Sequence, residues 1–161
     1  MNIGHICLAT PDSSASKYFA ALVEALDKFG ISQHVLVASV ALARRLAKCE
    51  SVTVGPVVRT PVMAYCLMPD VDVAHVHEGR SGQSGLLLTL TRSIPFVITV
   101  DHEFERDRSA IARSVLNRAA QTIERNDIQP YELAAGRHLN IYEDACQNSQ
   151  RMPTAGISGN Q

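Results

Sequence analysis

Asp72-Val73-Ala74-His75-Val76-His77-Glu78-Gly79-Arg80-Ser81-Gly82-Gln83-Ser84-Gly85 is the stretch from which the fold is read. Its first half is an apolar, strand-like run. Its second half is a glycine-rich turn from which a helix leaves, expected from about Gln83 to Arg92. Pro95 then opens a further apolar run, Phe96 to Val100, which ends in Asp101-His102-Glu103. A strand, a helix and a second all-apolar strand in that order describe one unit of a parallel sheet covered on both faces.

The same alternation extends upstream. Ile3 to Ala9 reads as a buried strand that stops at Thr10-Pro11-Asp12-Ser13, with Asp12 or Ser13 as the N-cap of the next helix. Phe19, Leu22, Val23, Leu26 and Phe29 recur at helical spacing, and Gly30 ends that helix. His34 to Ser39 is a second strand. Leu42, Leu46 and Cys49 mark a short helix, and Val52 to Val54 a weaker third strand, while Pro61 to Pro69 fits either a loop or an edge element. Downstream, Ala112, Leu116, Ala119 and Ile123 share one helical face, and Ala135, Leu139, Tyr142 and Cys146 another. The expectation is therefore α/β: a Rossmann-like, doubly wound parallel sheet of about five strands with two extra C-terminal helices. Residues 1–147 are expected to form a single domain, of which 106–147 are a helical extension, and 148–161 a disordered tail.

Composition narrows the class. The 161 residues are 46% hydrophobic, enough for a core, and 15 Lys+Arg against 16 Asp+Glu leave no basic excess for neutralising phosphates. A nucleic-acid partner is not expected. Four scattered cysteines without a Cys-x-x-Cys pair suit a reducing compartment. No apolar run is long enough to cross a bilayer, and the N-terminus lacks a basic leader, so the expected location is cytoplasmic.

Ligands of open parallel sheets bind beyond the carboxyl ends of the strands. Three segments converge there: Thr10 to Ser16, His75 to Gly85 and Asp101 to Asp107. Asp12, Ser13, Ser14, His77, Glu78, Gly79, Arg80, Ser81, Gly82 and Glu103 are the candidate ligand contacts. His102, set among carboxylates at a strand end, is the candidate acid or base, with Asp101 beside it. His75 and His77 lie two apart on a strand and share a face. With Asp101 they could serve a small metal-dependent α/β enzyme, or they could simply pack and hydrogen-bond, and no metal site is assigned. Gly79-x-x-Gly82-x-x-Gly85 either holds an anion on backbone N–H groups or lets the helix pack close to the sheet. The first strand's loop contains no glycine and Gly-x-Ser-x-Gly is missing, which argues against a dinucleotide cofactor and a serine hydrolase. No cofactor is expected.

As an ordered set, Asp72-Val73-Ala74-His75-Val76-His77-Glu78 followed by Ile94-Pro95-Phe96-Val97-Ile98-Thr99-Val100 resembles the N-terminal half of family 4 glycosyltransferases, over about residues 1–105. Tyr131 to Glu143 is similar to the final helix of those enzymes. The resemblance implies the acceptor-side domain of a GT-B fold, with the donor-binding domain missing and sugar transfer requiring a partner domain or a second copy. It implies a glycan or lipid-linked acceptor, with a nucleotide sugar bound only by the partner. A non-catalytic, glycan- or protein-binding remnant of such an enzyme is the alternative.

Overall fold

The computed structural model describes residues 1–100, 109–124 and 131–151. In chain order the elements are β1 (Asn2–Cys7), α1 (Ser14–Lys28), β2 (Ser32–Val37), α2 (Val40–Leu46), β3 (Val52–Val54), α3 (Pro61–Leu67), β4 (Val73–His77), α4 (Gly79–Arg92), β5 (Phe96–Val100), α5 (Ala110–Arg118), β6 (Gln121–Glu124) and α6 (Tyr131–Arg151). All strand pairings are parallel, and the order across the sheet is β3-β2-β1-β4-β5-β6. The expected Rossmann-like α/β class is the observed one, with six strands in place of about five.

Helix starts follow local chemistry. Ser13, Ser39, Thr60 and Ser109 each accept a hydrogen bond from the backbone N–H three residues on, capping α1, α2, α3 and α5. For α3 the pair Thr60-Pro61, a cap followed by a proline at the first helical position, resolves a segment that the apolar pattern left open. The sixth strand hides inside what reads as one helical face. Ala119 leaves α5 in an extended conformation, and the Ala120 N–H donates to Phe96 O at 2.7 Å. Thr122 and Ile123 then pair with Ile98 and Thr99. A β-branched pair with a free sheet edge beside it outweighs the helical spacing of Ile123. The last helix runs through Arg151, four residues into the segment expected as a tail.

The four central strands β1, β2, β4 and β5 feed cores on both faces. Ile6, Leu36, Val76, Phe96 and Ile98 point to one face and pack under Ala64, Leu88 and Val115 of α3, α4 and α5. Ile3, Val73 and Val97 point to the other, under Leu22 and Leu26 of α1 and Tyr142 and Ala145 of α6. Phe19, Val23, Leu42 and Leu46 of α1 and α2 extend that layer over Cys7, Val35 and Val37. β4 and β5 are buried along their whole length, and each enclosed aliphatic side chain contributes ~1.5–3 kcal/mol.

The glycines after β4 belong to this packing. α4 begins at Gly79, four residues before the expected start, so Gly82 and Gly85 lie inside the helix. A β-carbon on Gly85 would meet three Phe96 ring atoms at 2.5–3.1 Å, and one on Gly82 would meet Val115 Cγ1 at 2.6 Å. Close approach of α4 to β5 and α5 is what these two positions serve. Around Gly136 of α6 nothing lies within 4 Å. Substitution by alanine should therefore have opposite signs at the two helical sites. Gly85→Ala should lose ~1–3 kcal/mol by overpacking, while Gly136→Ala should gain up to ~1 kcal/mol from helix propensity. Urea denaturation of both variants checks this, with Phe96→Leu expected to recover part of the Gly85→Ala loss.

Candidate functional site

Parallel pairing of β1 with β4 sets His5 beside His75 and Cys7 beside His77. Alternate residues of a strand share a face, so His5, His75 and His77 all project to the side covered by α1 and α6. His77 in turn pairs with Thr99 on β5. Helical spacing brings His138 and Tyr142, one turn apart on α6, down onto the same spot, while α1 supplies Tyr18 and Phe19. The result is a polar layer within an otherwise apolar core, in which His5, His75, His77, His138 and Tyr142 are all buried.

Its geometry is close-knit. His5 Nδ1 and His77 Nε2 are 3.3 Å apart. The rings of His75 and His77 have centroids 3.9 Å apart, and Phe19 stands edge-on to His77 at 4.7 Å. His75 is held at both nitrogens, Nδ1 by the Tyr142 hydroxyl at 2.6 Å and Nε2 by Thr99 Oγ1 at 2.7 Å. Tyr18 Oη and His138 Nε2 share a hydrogen bond at 3.3 Å. Burial, with Tyr18 second, holds the Tyr142 phenol well above the usual tyrosine range. Tyr142 can thus donate to Nδ1 while Nε2–H reaches Thr99, one consistent tautomer for a neutral His75. His5 Nε2, His77 Nδ1 and Gln33 Oε1 are buried without a hydrogen-bond partner in range. The Gln33 amide is nevertheless near enough to favour a proton on His5.

These rings are neutral. Burial, then electrostatic repulsion involving His138, lowers His5 from its ordinary 6.5 to about 3, against the opposing effect of Gln33. Burial likewise lowers His75 and His77 well below the ordinary value, reinforced by His77, His138 and His5 for the one and by His5 and His138 for the other. Protonating one ring would place charge in a dry core against its neighbours, which is the physical cause in each case. Cys7, on the same face, is pushed up to about 11 by burial and stays a thiol.

Above this layer lies the mouth of the sheet. β1 and β4 are neighbours whose connections leave toward opposite sides, the topological switch point of the fold. One residue, Glu78, separates β4 from α4, and the chain makes that turn with Glu78 at φ 75°, a conformation that costs a non-glycine residue of order 1–3 kcal/mol. Ser81 Oγ reaches across the switch point to accept the Leu8 N–H at 3.1 Å, tying the two loops together. Ser13 caps α1, and its hydroxyl donates to Thr10 O at 2.9 Å.

The expected site residues therefore separate into groups. Asp12, Ser14 and Arg80 are exposed at the mouth, with Ser13 and Glu78 half-buried beside them and Gly79 starting α4. Ser81 and Gly82 are buried and serve packing and loop fastening. His77 is only 1% exposed and lies beneath Phe19, in the core instead of at the mouth. Asp101, His102 and Glu103 lie outside the described residues. Of the candidate trio His75, His77 and Asp101, the acid therefore lies outside the described residues; among the described residues the side chain that closes on both histidines is His5. His5, His138, Tyr142 and Thr99 are the members the sequence reading missed. A depression of about 580 Å³ lies at the opposite, amino edge of the sheet, among Met1, Asp72, Arg92, Glu143 and Cys146, and holds none of these groups. No helix among the described residues is long and apolar enough to cross a membrane.

No protein-family model matches the sequence, and no curated protein matches it. A solved structure does: the phenylacrylic acid decarboxylase from Aquifex aeolicus, with a TM-score of 0.55 and 12% identity, covering 88% of this chain and 95% of that one. At that identity the likeness carries the fold. It corrects the expected family, because the sheet and helices follow nearly the whole of a protein titled a decarboxylase and not the acceptor half of a GT-B glycosyltransferase. The two motifs that suggested a glycosyltransferase, Asp72 to Glu78 and Ile94 to Val100, are the buried central strands β4 and β5 with their flanking residues. With that family go the donor-domain partner, the glycan acceptor and the sugar-binding remnant.

The neutral histidines make stability depend on pH. An unfolded histidine takes up its proton near pH 6.5, whereas His5 in the folded chain resists until about 3. The unfolded state thus binds more protons across that window. Stability should be level above about pH 6.5 and fall below it, by ~4 kcal/mol per pH unit for three such groups acting together. Urea midpoints at pH 7.5, 6 and 5 test this, with a flat profile as the contrary result and a shallower one expected for His77→Asn.

Proposed function

We propose that this chain binds a small organic acid at the β1/β4 switch point, between the Thr10–Ser14 turn and the start of α4. The observation that carries the reading is the convergence of two long helix starts on one crevice, after neighbouring central strands. α1 and α4 both direct first-turn backbone N–H groups and the positive end of the helix dipole toward the carboxyl edge. Arg80 is exposed in the first turn of α4 and adds a full positive charge there. The exposed Ser14 hydroxyl provides a further donor. Asp12 and Glu78 border the same crevice and disfavour a ligand of high negative charge, which points to a single carboxylate.

Two further features support a built binding edge. The Leu8–Ser81 hydrogen bond fastens the loops to each other, so the crevice is preformed and needs little ordering on binding. The strained Glu78 sits at its lip, where such strain commonly accompanies function. The Aquifex aeolicus protein, as its name says, acts on an aryl-substituted acrylic acid, a carboxylate of the proposed class.

Phenylacrylic acid is the first probe, followed by amide chemical shifts of the full chain. Saturable shifts at residues 8–16 and 78–84, lost with the uncharged amide of the same acid and weakened about tenfold or more by Arg80→Gln, are the expected result. Absence of shifts at millimolar acid, or shifts confined to the amino edge near Asp72 and Glu143, would overturn the reading.

A further inference from the structure

We propose that His5, His75 and His77 form a zinc-class metal site inside the core, separate from the crevice above it. One ring nitrogen from each lies within 4.8 Å of the other two. The His5 Nδ1 to His77 Nε2 distance of 3.3 Å is about the edge of a tetrahedron built on metal–nitrogen bonds of about 2.0–2.1 Å. The three ligands come from two central, paired strands, so their backbone positions are set by the β1–β4 register, with no loop involved. A set of imidazoles with no carboxylate selects borderline ions such as Zn²⁺ or Co²⁺ over Mg²⁺ and Ca²⁺.

The surroundings supply what two of the three ligating histidines require, His75 and His5. A metal-bound imidazole carries its proton on the other nitrogen and donates it to a second group. His75 already has a hydroxyl at each nitrogen, Tyr142 on one side and Thr99 on the other, so one contact yields to the ion while the other holds the ring. For His5 the buried, unpartnered Gln33 Oε1 is the group at hand for Nε2–H. Gln33 is itself oriented by donation from its Nε2 to Val23 O at 3.1 Å. Without an ion, the facing nitrogens of His5 and His77 have one hydrogen between them, and two neighbouring ring nitrogens stay without partners. Coordination gives the facing lone pairs of both rings a common partner. The site would bridge β1 and β4, tightening the folded state through binding that the unfolded chain cannot match.

The test uses the full chain, stripped with chelator and dialysed against Zn²⁺ or Co²⁺. One equivalent of zinc per chain and a rise of several degrees in Tm are expected, both lost in His5→Asn and His77→Asn and both retained in His34→Asn. The cobalt spectrum of the unaltered chain decides the matter even where a variant fails to fold. Intense visible bands of four-coordinate cobalt without sulfur charge transfer support the site. A pale six-coordinate spectrum, thiolate charge transfer, or no metal retained at 100-fold molar excess would each sink it.

Discussion

The parallel pairing of β1 with β4 is the constraint on which the rest of the molecule depends. Seventy residues separate His5 from His75, yet the ladder sets them side by side and sets Cys7 beside His77. The same pairing creates the switch point, because helices after these two strands must depart to opposite faces of the sheet. One register therefore decides both the buried imidazole layer and the switch point above it. A shift by one residue would turn His5 away from the α1 and α6 side and send Gly4 and Ile6 into the polar layer. The apolar neighbours Ile3, Val73 and Val97 oppose such a slip, since all three would leave the core beneath α1 and α6.

A buried polar layer is costly unless its members satisfy one another. Here much of the satisfaction comes from hydroxyls placed by three different elements: Thr99 from β5, Tyr142 from α6 and Tyr18 from α1. The arrangement binds the last helix to the sheet by directional contacts as well as by apolar area. Burial, for its part, keeps His5, His75 and His77 neutral. The crevice works on other terms. Its groups are half-buried or exposed, and its rigidity comes from backbone capping and from Ser81 holding Leu8.

Much of this organisation is legible in the sequence. The all-apolar strands Ile3 to Ala9 and Phe96 to Val100 announce a sheet covered on both faces, and Ser13 announces the start of α1. His75 and His77 announce a shared face, since that follows from spacing alone. The third histidine does not, because its position beside His75 depends on a register that no local pattern encodes. His138 and Tyr142 are hidden for a related reason: they sit on a stripe that reads as ordinary helix core, and their partners lie more than sixty residues away. β6 escapes notice because Ile123 satisfies a helical period and a strand period equally well. The glycines at 82 and 85 were ambiguous for the opposite reason, since an anion loop and a close helix contact demand the same residue. Only the distance to Phe96 and Val115 separates the two.

The late position of α6 has a consequence for how the chain is made. Tyr142 and His138 are added about 65 residues after His75 and His77, which at ribosomal speed is a delay of roughly 3–13 seconds. Throughout that interval the sheet can pair while its histidine face remains without the helix that closes it. The nascent chain thus passes through a stage in which a row of imidazoles faces solvent or the chaperones that attend emerging polypeptides. Closure of that face waits on α6, and truncation ahead of Tyr142 would leave the seam open.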